Sequence, residues 1–135
     1  MLTQSDRLFK DGAQAMASKI QWRFMFRVNN RRAFEKCLGL VLEVLGSGCE
    51  PSEGKPYWKV PELWECSVVV PVHLGPAAEQ IMGCLVTACR LASGWYVLGA
   101  LSPDRVEGFS GVFGVGHGSA RSHVVGLEWA SFELM

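Results

Sequence analysis

The chain has 135 residues, of which 49% are hydrophobic and 19% charged, so it can bury one sizeable core and is not intrinsically disordered. Thirteen basic and thirteen acidic residues balance, which excludes a uniformly basic nucleic-acid-binding protein. The charge is uneven along the chain, since residues 1–36 hold eight basic residues against three acidic ones and the remainder holds five against ten. This asymmetry predicts a charged binding face or two halves that neutralise each other.

Residues 1–18 differ from the rest of the chain. Charged residues at positions 6, 7, 10 and 11 interrupt any apolar stretch, so the segment is not typical of an export signal. We expect a flexible leader or tag-like segment over 1–18 and a single α+β domain over 19–135. Five cysteines form no CxxC pair, and Cys37, Cys66 and Cys84 lie among apolar neighbours, which favours a cytoplasmic protein.

The first predicted elements are a strand and a helix. Residues 20–28 carry apolar side chains at every second position, which predicts a half-buried strand. The asparagine pair at 29–30 offers a helix N-cap, and apolar residues then recur at helical spacing from Phe34 to Leu45. Gly46 predicts the end of this helix.

The middle of the chain predicts a loop, a strand and a second helix. Prolines and a glycine within 49–60 predict a loop or edge strand that becomes regular near Tyr57–Val60. Residues 63–73 alternate and predict a strong strand, and a helix follows from Pro76 to Gly94.

Residues 81–101 are apolar enough to be considered as a membrane span. Arg90 lies near the centre of the segment, and Ala-Ser-Gly at 92–94 is typical of a helix end. We therefore expect buried elements joined by a turn, and no membrane association.

Strands dominate the last third of the chain. The apolar run at 95–101 predicts a central strand, and Ser-Pro-Asp at 102–104 predicts a turn. A β-like run at 106–115, a loop at 116–123 and a final strand at 124–134 follow. The order predicts an α+β fold: a ferredoxin-like split βαβ (βαββαβ) antiparallel sheet with two helices on one face and a C-terminal β extension.

No motif for catalysis or metal binding is present. The glycine-rich run at 108–118 lacks the following Lys-Ser/Thr of a phosphate loop, which favours a hairpin. His73, His117 and His123 do not have the spacing of zinc ligands, and Cys37 follows the apolar periodicity of a helix. We predict no catalytic residue, metal or cofactor.

Four arginines near the first strand indicate an anion-binding patch, formed by Arg23, Arg27, Arg31 and Arg32. Nucleic-acid-binding sheets also carry aromatic side chains for base stacking. Because the aromatic residues of the first strand occupy its opposite face, we do not expect nucleic acid as the partner.

Residues 55–65 form the most distinctive segment, with tyrosine and tryptophan spaced by prolines and charges. Aromatic side chains of this kind dominate the energetics of protein interfaces. We predict that the segment and its acidic neighbours bind a protein partner, through Glu53, Tyr57, Trp58, Glu62, Trp64 and Glu65. The other interpretation, that Trp58 and Trp64 fill the core, stays open at this point.

The strand Trp22–Val28, the block Tyr57–Trp64 and the ending Gly126–Glu133 resemble small bacterial immunity proteins. These are the cytosolic antidotes of contact-dependent or type VI secreted toxins. The resemblance implies a non-enzymatic protein that binds and neutralises one cognate toxin domain. The acidic surplus after residue 36 would complement a basic, nuclease-type toxin.

Other functions remain open from the sequence. Ferredoxin-like chains also form dimeric enzymes or small-ligand-binding proteins with an apolar pocket, and small-effector-binding regulatory modules that dimerise. A homodimer is compatible with each of these.

Overall fold

The computed structural model describes residues 17–72, 74–99 and 106–135. Within these ranges the chain forms two helices, α1 (Arg31–Leu45) and α2 (Ala77–Leu91). The strands, in chain order, are β1 (Lys19–Arg27), β2 (Glu50–Pro51), β3 (Lys55–Pro56), β4 (Leu63–Pro71), β5 (Ala92–Ser93), β6 (Tyr96–Leu98), β7 (Ser110–Gly114), β8 (Arg121–Ser122) and β9 (Leu127–Leu134). The α+β class is confirmed.

Most of these strands form one sheet in the order β2-β4-β1-β9-β7-β6, and β3 also pairs with β4. All the pairings in this sheet are antiparallel. The short strands β5 and β8 pair separately. Because β1 lies between β4 and β9, the first and last described strands are neighbours in the middle of the sheet.

Strand β1 forms because its largest apolar side chains fall on alternate residues. Trp22, Phe24 and Phe26 are at most 1% exposed. The ring of Phe26 lies 5.6 Å from that of Phe34 in α1, and the rings of Trp22 and Trp95 lie 6.2 Å apart. Both helices contribute to the same cluster of buried residues, so they cover the same face of the sheet.

Each helix has an identifiable end. The side-chain oxygen of Asn30 accepts a hydrogen bond from the backbone N–H of Ala33 at 2.8 Å, so Asn30 is the N-cap of α1 as predicted. Gly46 follows the last residue of α1 with a φ of 91°, which a residue with a side chain rarely adopts. After α2, the indole N–H of Trp95 donates to the carbonyl of Ala88 at 2.9 Å.

The loop or edge strand predicted over 49–60 is present as the short edge strands β2 and β3, but the regular stretch expected near Tyr57–Val60 is wrong. Strand pairing ends at Pro56. The backbone N–H of Tyr57 donates to the carbonyl of Leu63, and the N–H of Leu63 donates to the carbonyl of Val60, so the chain forms a turn here. The predicted strand 63–73 is confirmed as far as Pro71, and His73 lies outside the described residues.

The last strands differ from the prediction in position. The apolar run after residue 95 forms only the short strand β6, which lies at the edge of the sheet and not at its centre. Strand β9, which we expected as part of an extension, occupies a central position beside β1. The apolar residues of this run are not buried, since Tyr96 and Leu98 at the sheet edge are 74% and 71% exposed.

Residues 1–16 of the predicted leader lie outside the described residues, which begin at Ala17. Ala17 is 1% exposed, and its carbonyl accepts a hydrogen bond from the Gln80 side chain at 2.9 Å. The carbonyl of Ser18 accepts from the backbone N–H of Val72. None of the helices in the described ranges is long and apolar enough to cross a membrane.

Candidate functional site

Within the described residues, both helices lie on one face of the sheet, and we call the opposite face the open face. Its side chains come from the residues of β1 that alternate with the buried ones and from their neighbours on the paired strands. It is formed by Arg23, Met25, Glu65, Ser67, Tyr96, Leu98, Val112, Trp129, Ser131 and Glu133.

Arg23 lies at the centre of the open face because of the strand register. It is directly opposite Ser67 on β4 and Ser131 on β9. The next position along β1, Met25, is opposite Glu65 and Trp129. The positively charged Arg23 therefore has a serine on each side, and the next row of the sheet carries larger side chains.

This arrangement produces a depression on each side of Arg23. One, of about 370 Å³, extends toward β3 and includes Glu53, Lys55 and Glu65 in its lining. The other, of about 610 Å³, extends toward β6 and includes Tyr96. Arg23 and Trp129 line both. We call the two depressions together the Arg23 groove.

The β6 end of the open face is apolar and exposed. Tyr96 is 74% exposed and Leu98 is 71% exposed, and Val112 of β7 lies opposite Tyr96. With Trp129 these side chains form an apolar and aromatic surface that continues to Arg23. Tryptophan, tyrosine and arginine are the residues most enriched among the energetically dominant contacts of protein interfaces.

Acidic side chains lie on both sides of Arg23. Lys55 Nζ lies 3.8 Å from Glu65 Oε1, and Glu53 is exposed on the loop between β2 and β3. Glu133 is exposed on β9, opposite Gln21. Carboxylates therefore surround a central arginine, which disfavours a nucleic-acid backbone as the ligand because phosphates would meet like charge.

Two of the sequence-predicted site residues, Glu53 and Glu65, come together in the Arg23 groove. Three others, Tyr57, Trp58 and Glu62, lie on the turn between β3 and β4. Trp58 is 78% exposed, and its ring is contacted by Lys59 Nζ at 5.0 Å from the ring centre. The turn is a second exposed aromatic feature, separate from the open face.

Trp64 belongs to the margin of the core and not to the open face. Its ring stacks on Phe34 with centres 5.6 Å apart, and the Arg31 guanidinium lies 5.3 Å above its centre. Arg31 also donates a hydrogen bond to the carbonyl of Gly54 at 3.2 Å. Trp64 and Trp58 thus have different environments: Trp64 packs at the margin of the core, whereas Trp58 does not fill the core.

Trp129, Tyr96 and Leu98 lie on the open face although the sequence pattern did not predict them there. The alternation of the first strand placed Arg23 on the outward face, and no aromatic side chain was expected on that face. That expectation is wrong, because β9 and β6 bring Trp129 and Tyr96 to the face of Arg23. The alternation of apolar residues in β9 could have predicted that Trp129 faces away from the core. Only the order of the strands places Trp129 beside β1.

Four of the five thiols, those of Cys37, Cys49, Cys66 and Cys84, are poorly suited to nucleophilic chemistry. Burial raises the pKa of the Cys84 thiol from 9.0 to about 12, and burial also raises the pKa values of Cys37, Cys49 and Cys66. A raised pKa keeps a thiol protonated at neutral pH and therefore unreactive. Among the described residues, no group of three His, Cys, Asp or Glu side chains could hold a metal ion. The arrangement of the open face is suited to binding.

Comparison with known proteins found no match to a family model, a curated protein or a solved structure. The functional proposal therefore depends on the open face itself.

Proposed function

We propose that this protein is a non-enzymatic cytoplasmic immunity protein that binds and neutralises a cognate toxin domain through its open face. The observation that carries the proposal is the composition of the sheet face that the two described helices leave open. Arg23, Trp129 and Tyr96 lie on that face together with exposed aliphatic side chains. Interfaces combine such aromatic and arginine contacts at their centre with a polar rim.

The buried side of the sheet favours this proposal over an enclosed ligand pocket. The space between the sheet and the helices is filled by large side chains that are at most 2% exposed, including Trp22, Phe24, Phe34 and Phe132. Their rings contact one another in a continuous series. A stiff core of this kind presents the open face with little rearrangement on binding, which favours affinity.

We also infer that the core is an extended ferredoxin-like unit. Strand β4 lies between β1 and the short edge strands β2 and β3, and β9 pairs with β1 from the other side. These positions match a split βαβ arrangement in which β6 and β7 are inserted before the last strand. The insertion widens the open face, because both inserted strands continue it beyond β9.

The proposal predicts a secreted-toxin gene next to the gene of this protein, and it is tested by co-expression with the C-terminal domain of that toxin. We expect the protein to restore growth of bacterial cells that produce the toxin domain and to form a complex measurable by calorimetry. Absence of both growth rescue and a complex would contradict the proposal.

Matched variants identify the face that binds. Trp129→Ala and Tyr96→Ala should each weaken binding, by about 30-fold for a dominant contact. Tyr96 is 74% exposed, so its loss leaves the core intact. Met82→Ala, at a residue 62% exposed on α2 in the helix layer, should bind like the unchanged protein. The reverse pattern would place the interface on the helices and overturn the role of the open face.

A further inference from the structure

The central arginine of the open face has no counterion in the described part of the chain. Arg27 and Lys55 form ion pairs with Glu128 and Glu65, whereas Arg23 forms neither an ion pair nor a side-chain hydrogen bond within the described ranges. Its neighbours across the strands are Ser67 and Ser131. The register thus places a serine on each side of Arg23, and no acceptor within the described ranges occupies its guanidinium.

Neither of the two acidic side chains diagonal to Arg23 forms an ion pair with it. Glu65 lies diagonally from Arg23 on β4, but its carboxylate is 3.8 Å from Lys55 Nζ. Glu133 lies diagonally on β9, is opposite Gln21, and is exposed. Since an uncompensated cation becomes costly when an interface removes its water, a partner that covers Arg23 must supply an acceptor.

We propose that the Arg23 groove receives the carboxylate of an aspartate or glutamate side chain that projects from the surface of the toxin domain. This inference rests on the proposed function. The planar guanidinium binds a carboxylate through two parallel hydrogen bonds, which gives both affinity and orientation. Ser67 lines the depression on one side of Arg23 and Ser131 the depression on the other, so each side offers a hydroxyl donor beside the arginine.

The charges around the groove define the rest of the partner surface. Glu53 and Glu133 are exposed at its border, so the complementary surface carries basic residues around the acidic one. A basic nuclease-type domain with a single acidic projection has this pattern. A uniformly basic surface lacks the acidic group, and a uniformly acidic surface is repelled by the border.

The test compares Arg23→Met with Arg32→Met in binding to the toxin domain used to test the proposed function. Both changes remove one exposed positive charge, but Arg32 lies on α1, in the helix layer. Arg23→Met should weaken binding by about 30-fold or more, mainly through faster dissociation, and Arg32→Met by less than about twofold. Arg23→Lys should show an intermediate loss, because lysine keeps the charge without the two-pronged geometry. Thermal unfolding of Arg23→Met should match that of the unchanged protein.

A double-mutant cycle identifies the carboxylate. Each acidic residue on the toxin domain is changed to its amide and measured against both the unchanged protein and Arg23→Met. One such change should weaken binding to the unchanged protein and have little further effect with Arg23→Met. If no toxin carboxylate couples to Arg23, or if Arg23→Met binds normally while Trp129→Ala does not, the inference is wrong and the proposed function stands. If the unchanged protein does not bind the toxin domain, both fail.

Discussion

Gly54 shows how one residue decides local packing. A methyl group at this position would overlap the ring of Phe34, and that ring is stacked on Trp64. The carbonyl of Gly54 also accepts the hydrogen bond from Arg31. The absence of a side chain therefore lets the loop before β3 lie directly on the core.

Gly54→Ala should destabilise the protein, because the added methyl group displaces Phe34 or the loop. We expect the free energy of unfolding to fall by about 1–3 kcal/mol, as in overpacked cores. The measurement is urea denaturation followed by tryptophan fluorescence.

Gly39→Ala is the matched control. Gly39 lies within α1, and an added methyl group there has nothing within 4 Å. Alanine should raise the free energy of unfolding by about 0.5–1 kcal/mol through helix propensity. Equal effects of the two substitutions would contradict the packing assigned to Gly54.

Helix α1 and strand β9 illustrate the element scale. The helix begins and ends where local chemistry predicts, at the Asn30 cap and before Gly46. Strand β9 is regular except for a shift of register between Met25 and Phe26 of its neighbour, where Glu128 is the extra residue. The bulge turns Glu128 toward Arg27, whose Nε lies 2.8 Å from the carboxylate.

Asn30→Ala should weaken α1 by removing the acceptor of the Ala33 N–H. We expect a loss of about 1 kcal/mol in the free energy of unfolding, measured by chemical denaturation. Asn30→Ser is the control, since serine caps helices about as well as asparagine and should remain close to the unchanged protein. A loss of the same size in both variants would show that the cap bond is not the cause.

At the scale of the whole molecule, the buried thiols couple stability to alkaline pH. The Cys84 thiol is 1% exposed, and its pKa is about 12 in the folded protein against 9.0 for an ordinary thiol. Above the lower value the unfolded chain loses a proton that the folded protein keeps. The free energy of unfolding therefore falls as the pH rises from 9.0 toward about 12.

Cys84→Ala should reduce this alkaline loss of stability. We expect the free energy of unfolding of the variant to decrease less than that of the unchanged protein between about pH 8 and about pH 10.5. Cys89→Ala, at an exposed position of the same helix, should keep the original pH dependence. Parallel pH profiles for the Cys84 variant and the unchanged protein would contradict the assignment of this effect to burial.

Local patterns in the sequence determined a large part of the fold. The alternation of β1, the helical spacing from Phe34 to Leu45 and the Asn30 cap depend on neighbours within a few residues, so they can be predicted from the chain alone. The turn at Tyr57 was missed because the same short apolar stretch is compatible with a strand. Contacts in the tertiary structure decide that this stretch forms a turn and not a strand.

Only the tertiary structure decided the open face. Arg23, Trp129 and Tyr96 are separated by many residues in the chain, and they share one surface because β9 pairs with β1 and β7 links β9 to β6. Alternation states that a side chain is on one face of its strand, but it does not state which strand is next to it. The sequence by itself therefore determined the buried face, through hydrophobic periodicity. Strand order depends on contacts between distant segments, and it determined which polar and aromatic groups meet on the open face.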